Sequence, residues 1–251
     1  MKSEKFSTKI EVLGVKIDSV TFREALDRVE QLVQDGRGGE HQYIVKPNPE
    51  IVTFAQTDSE FKDILNSASL APPDGVGLIL ASRALKLQGR AFQELKERVG
   101  GPELMEAILK LADDKGFSVF FYGARPFVVE KLAKVVHDKY PNLKISGFHH
   151  GFLEKDGEVV RQIKKAKPDI LFVALGFPKQ EKWIASHLNE LKVPLSIAEG
   201  GSFDFISGEV QRAPAYLIRV GLEWFFRLLT DPSRITRQRS LLTFAWLVFK
   251  R

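Results

Sequence analysis

The chain has 251 residues, 44% of them hydrophobic and 27% charged, enough to bury one full-sized core in a single large domain or a domain with a short appendage. It contains no cysteine, which excludes a disulfide framework, a thiolate zinc site and a cysteine nucleophile. The net charge of +5 is uneven: residues 212–251 carry eight Lys and Arg against Glu223 and Asp231, leaving residues 1–211 with a slight negative excess.

The first seven residues are charged and lack the continuous apolar stretch of a secretory signal, so the protein is expected to stay in the cytoplasm. Glu11 to Ile17 reads as a small hairpin. A helical pattern follows over Phe22–Val33, then a strand at Tyr43–Val45 and a helix over Glu60–Ser67. Leu78–Leu85 and Pro102–Asp113 are helical, and from there strands at Ser118–Tyr122, Lys144–Phe148, Ile170–Leu175 and Leu195–Ala198 alternate with helices at Val128–Tyr140, Val159–Lys165 and Lys179–Leu191. Alternation of this kind specifies an α/β fold, a Rossmann-like, largely parallel sheet with helices on both faces, over residues 1–211. Beyond Arg212 the pattern is helical without strands, so residues 212–251 form a basic amphipathic helical appendage. Its apolar run, Leu241–Phe249, is far short of the roughly 20 residues that span a bilayer.

Ligands of open α/β sheets bind beyond the carboxyl ends of the strands. Pro73-Asp74-Gly75 leads into a helix, and Asp74 is there either an N-cap or a general base at the sheet edge. Gly176 to Trp183 opens another helix, whose free N–H groups suit a phosphate or a hydroxyl-rich ligand; Gln180 and Glu181 either read a sugar or complete the first turn. Gly200-Gly201 follows the last strand, either as a plain turn or as a close approach to a ligand. His149-His150 lacks partners at metal-ligand spacing. No G-x-G-x-x-G follows a strand, no P-loop or G-x-S-x-G occurs, and no two aspartates stand in a D-x-D arrangement. A departing diphosphate would then be met by protein cations, for which Arg227, Arg234 and Arg237 are the candidates, interleaved with Trp224, Phe225 and Phe226.

Taken in order, Asn48-Pro49-Glu50, Pro73-Asp74-Gly75, Glu97-Arg98-Val99 with Gly101, Leu175-Gly176 through Trp183, Gly200 to Asp204, Gly208, Arg212-Ala213-Pro214 and Gly221 to Trp224 followed by Arg227, Pro232, Arg234 and Arg237 resemble the WecG/TagA/CpsF family, glycosyltransferase family twenty-six. The resemblance runs from about Val12 to Arg239. It implies an inverting, metal-independent transfer of N-acetylmannosamine or a related sugar from its UDP form to a polyprenyl-diphosphate-linked sugar, in wall teichoic acid or other surface polysaccharide synthesis, with no cofactor. It also implies Asp74 as the general base, Asn48 and Gln180 as substrate-positioning groups, and Arg227, Arg234 and Arg237 as groups closing over the diphosphate. Lys46, Gly75, Glu181, Gly200 and Gly201 complete the expected substrate-binding set, with Lys46 standing where the family usually has Thr.

The tail is also expected to meet an anionic membrane surface at the inner face of the cell membrane, its arginines on head groups and Phe244, Trp246 and Phe249 in the interfacial layer. The near-neutral body argues against nucleic acid as a partner, and a homo-oligomer is compatible with the sequence. The alternative reading is a non-catalytic module that binds a nucleotide sugar or nucleic acid.

Overall fold

The computed structural model describes residues 7–153, 155–214, 216–217, 223–230 and 235–250. Strands β1 (Lys9–Val12) and β2 (Val15–Asp18) pair as an antiparallel hairpin. Helix α1 (Phe22–Arg37) begins on a capping box in which Thr21 and Glu24 bond each other's backbone N–H groups. Then come β3 (Gln42–Ile44), α2 (Pro49–Phe54), α3 (Ser59–Ser67), α4 (Val76–Leu87), α5 (Gly101–Lys115), β4 (Ser118–Gly123), α6 (Pro126–Lys139), β5 (Lys144–His149), α7 (Gly157–Ala166), β6 (Ile170–Ala174), α8 (Lys179–Leu191), β7 (Leu195–Ala198) and α9 (Ser202–Ile206). The tail contributes α10 (Glu223–Thr230) and α11 (Ile235–Lys250).

The five strands of the main sheet are ordered β3-β7-β6-β4-β5 and all are parallel. Both faces are covered, as a parallel sheet requires. Alternate residues of each strand enter different cores: Phe120, Tyr122, Leu171 and Val173 meet α7, α8 and the α2–α4 side, whereas Val119, Phe121, Ile170 and Phe172 meet α1, α5 and α6. The helices after β4 and β6 lead in opposite directions along the sheet, so these two strands form its topological switch point.

Residues 69–71 extend the sheet beyond β3. Ser69 donates to the Tyr43 carbonyl (3.0 Å), Val45 donates to the Leu70 carbonyl (3.2 Å), and Ala71 exchanges bonds with Asp18 of the hairpin, donating to its side chain (2.7 Å) and accepting from its backbone (2.9 Å). This short segment ties the hairpin to the sheet and delivers Pro72-Pro73-Asp74 to the same edge as the strand-following loops.

The carboxyl edge itself depends on Gly123. Its φ of +126° suits only glycine, and a methyl group added there would lie 2.3 Å from the Ala174 carbonyl oxygen on the neighbouring strand. Gly123→Ala is therefore expected to lower stability by about 2–4 kcal/mol, through backbone strain and overpacking together. Urea denaturation followed by far-UV circular dichroism reads this directly; a variant as stable as the parent would show that the β4–β6 edge yields at no cost.

Candidate active site

Asp74 is placed by three neighbouring loops. Asn48 caps α2 by accepting from Ile51 N–H through Oδ1 (2.9 Å), with Pro49 in the first helical position. The Asp74 N–H donates to the Pro47 carbonyl (2.8 Å), and Val99 N–H donates to the Pro73 carbonyl (2.8 Å). Gly75 then turns with a φ of +94° into α4, and the first turn of α4 packs so closely on α2 that a methyl group at Gly77 would lie 2.6 Å from Pro49 Cγ. Asp74 does not cap α4, whose preceding residue is Gly75 and which has no side-chain cap.

The Asp74 side chain is enclosed by protein on most sides but remains 29% exposed, opening into a cleft that it lines with Asn48, Arg98 and Glu223. Arg98 Nε stands 4.0 Å from Asp74 Oδ1, while Arg98 Nη2 lies 3.0 Å from Glu223 Oε2 and 3.8 Å from Glu103 Oε1. Glu103 is also paired with Arg212. On the other side, a methyl group at Gly101 would be 3.2 Å from Lys46 Nζ, 3.4 Å from Ser202 Oγ and 3.6 Å from Asp74 Oδ2, so these groups converge on the start of α5. Burial pushes the Asp74 carboxyl up to about 6; Arg98 and Lys46 pull it down, and Glu223 and Glu103 push it up. A carboxylate poised near neutrality and facing a cleft is suited to take a proton from an attacking hydroxyl.

Lys46 is 6% exposed, and its ammonium lies 2.5 Å from the buried Glu199 carboxylate. It is therefore already paired within the protein. Gln180 is likewise committed within the protein: its Nε2 donates to Glu181 Oε1 (2.9 Å) and its Oε1 accepts from Gly200 N–H (3.0 Å). Gly200 (φ +59°) and Gly201 are thus fastened to the first turn of α8. Burial raises the Glu181 and Glu199 carboxyls above the ordinary range, with bonds from Gln180 to Glu181 and from Lys46 to Glu199 opposing it. Among the described residues, Glu181 Oε2 and Glu199 Oε1 have no hydrogen-bond partner.

All eight expected residues of the body, Lys46, Asn48, Asp74, Gly75, Gln180, Glu181, Gly200 and Gly201, lie at this one edge. Of the tail arginines, Arg227 and Arg237 fall on α10 and α11, but their side chains, and all of Arg234, lie outside the described residues. The tail reaches the site through Glu223. Arg98, Glu103, Glu199 and Glu223 received no role from sequence, although Arg98 sits within the Glu97-Arg98-Val99 segment that carries the family resemblance. One expectation is corrected: Phe244, assigned to the membrane-facing set, is 4% exposed and packed into the core with Val248, because this face of α11 lies on α2 and α4. Trp246 and Phe249 do remain exposed.

Removing one partner from the buried Lys46–Glu199 pair leaves an uncompensated charge. Lys46→Met is expected to cost about 3–5 kcal/mol near pH 7, and the double variant with Glu199→Gln to recover most of it. Urea midpoints of the two variants, compared with the parent, check this; equal loss in both would mean that the pair's packing, not its charge, matters.

The family described as "Glycosyl transferase WecG/TagA/CpsF family" matches residues 10–251. An N-acetylglucosaminyldiphosphoundecaprenol N-acetyl-beta-D-mannosaminyltransferase of Staphylococcus aureus (strain NCTC 8325 / PS 47) is 35% identical over 245 residues, covering 97% of this chain and 93% of the relative. The protein of the same name from Bacillus subtilis (strain 168) is 38% identical over 203 residues, covering 81% and 77%. Similarity this extensive spans the sheet, the Asp74 loop and the tail helices alike, and this chain belongs to the WecG/TagA/CpsF family of glycosyl transferases.

Proposed function

We propose that the protein transfers N-acetylmannosamine from UDP to an N-acetylglucosamine carried on a polyprenyl diphosphate, with inversion and without a metal, in teichoic acid or other surface polysaccharide synthesis. The observation that carries this reading is Asp74, a carboxylate titrating near neutrality at the mouth of a cleft on the carboxyl edge of the sheet. The donor lies over that edge, against the Gly200-Gly201 loop and the first turn of α8, whose positive helix end favours a diphosphate. Asp74 removes the proton from the acceptor hydroxyl as its oxygen attacks the anomeric carbon from the face opposite UDP. The bond to the diphosphate oxygen breaks in the same step, and the charge that develops on UDP is met by Arg227, Arg234 and Arg237.

Residues 1–211 act as the catalytic body and 212–251 as the appendage that completes the site and holds it at an anionic membrane surface. The exposed Trp246, with Lys250 Nζ 4.2 Å from its ring centre, and the exposed Phe249 support interfacial contact. Among the described residues no helix is long and apolar enough to cross a membrane. This reading places the protein at the inner face of the cell membrane as a peripheral enzyme.

Asp74→Asn is expected to reduce turnover by roughly 10²–10⁴-fold while leaving UDP-sugar binding nearly intact. Release of UDP that depends on a lipid-linked acceptor, together with calorimetric binding of the donor, measures both. Full turnover in the variant would remove Asp74 from the role.

The pH dependence has a defined sign. Asp74 works as a carboxylate, so activity rises with pH through about 6, the value to which burial lifts it. Glu223 raises that value and Arg98 lowers it, so Glu223→Gln should move the acidic limb of kcat/KM to lower pH and Arg98→Gln to higher pH. Shifts in the same direction, or none, would disconnect this limb from Asp74.

A further inference from the structure

A cavity of about 570 Å³ runs from Asp74 between α4 and α11, and its polarity changes along its length. At the Asp74 end it is lined by Asn48, Glu50, Arg98 and Glu223, and beyond these the walls are apolar. On α4, Val76, Leu80 and Ala84 line it at four-residue spacing, and on α11 Leu241, Ala245 and Phe249 do the same, so each helix contributes one continuous row. The two helices run alongside one another in the same direction. The Ser240 carbonyl accepts from Thr53 Oγ1 (3.4 Å) on α2, and the Val248 carbonyl accepts from Arg90 Nη1 (3.0 Å) just past the end of α4. Eight residues of helix separate Val76 from Ala84, so the apolar row extends ~12 Å away from the reacting carboxylate. Leu80 and Phe249 remain exposed in the open cleft.

Resting on the function proposed above, we propose that the α4–α11 cleft holds the first isoprene units of the acceptor's prenyl chain, with the sugar diphosphate in the polar mouth beside Asp74. An exposed apolar surface of this extent, joined to a reaction centre, calls for an apolar ligand. A nucleotide or a free sugar would leave its polar groups without partners along these walls. The occupant must also be covalently continuous with the group that reaches Asp74, and of the two substrates only the acceptor joins a sugar to a hydrocarbon. The cleft's residues thereby select for chain length and chain type, a role separate from the chemistry at Asp74.

The test compares kcat/KM for N-acetylglucosaminyl diphosphate carried on a long polyprenyl chain and on a geranyl chain, both in the same detergent. The parent protein is expected to prefer the long chain. Ala84→Trp and Ala245→Trp fill the cleft from opposite walls, the first at a half-buried position beside the core and the second at an exposed one, and each should lower the long-to-short ratio by about tenfold, the loss of roughly two buried methylene groups. Leu242→Gln, on an exposed side chain that does not line the cleft, should keep the parent ratio. Parent-like ratios in both tryptophan variants overturn the proposal, as does an equal fall in Leu242→Gln, which would put the chain on the outer surface. An unchanged ratio accompanied by loss of a dimer in sedimentation velocity assigns the cleft to a second copy instead. If the parent uses neither acceptor while the tryptophan variants remain folded, it is the functional reading that has failed, and the cleft proposal falls with it.

Discussion

A fully parallel sheet sends every strand-following loop to one edge, and the chemistry of this protein depends on that constraint. The Lys46–Asn48 loop after β3, the Gly176 loop after β6 and the Glu199–Gly201 loop after β7 reach that edge because each strand must cross back through a helix before the next can begin. Asp74 does not follow a strand of the sheet. It gets there because residues 69–71 pair with β3 and continue its direction as far as the edge. The position of Asp74 therefore rests on a few backbone hydrogen bonds outside regular secondary structure, braced by the β1–β2 hairpin through Asp18.

Charge at the site floor is balanced narrowly. Asp74, Glu181 and Glu199 are all lifted by burial, and Lys46 opposes the rise in each of them. Its direct pair is with Glu199, so Asp74 feels its field without being locked to it. The pull of Lys46 on Asp74 is weaker than the effect of burial, which leaves the carboxyl at about 6. Arg98 behaves similarly at 4.0 Å, because its closer contact at 3.0 Å is with Glu223. With each of these two cations paired to another acid, burial remains the dominant influence on Asp74.

Periodicity and turn chemistry made the sheet legible. All five strands of the main sheet and the helices from α1 to α8, α2 apart, were readable from apolar spacing, with ends displaced by a few residues. The short helices α2 and α9 were not, because six and five residues are too few for a helical period to register. Asp74 and Gln180 were legible as loop residues at an edge, but what they bond was not. Gln180 looked like a ligand contact, whereas its amide is used to hold Gly200; Lys46 looked like a free cation until Glu199, 153 residues away in sequence, was brought against it. Arg98 and Glu223 were illegible for the same reason: a charge-balancing role depends on distances between segments that no local pattern encodes. Phe244 was misread because an amphipathic helix shows which residues are apolar and not which of its apolar sides meets the protein.

The last forty residues carry almost all the excess positive charge, yet the charged contact described between α10 and the body is made by an acid, Glu223 on Arg98. The body is nearly neutral, so long-range attraction contributes little to docking the tail. Burial of Phe244 and Val248 against the body contributes about 1.5–3 kcal/mol for each side chain. The hydrophobic face of α11 thus holds the tail to the body, and Glu223 gives that attachment its register beside Asp74. The tail is thus docked by its apolar residues, and a single carboxylate sets the start of α10 against Arg98 at the mouth of the cleft.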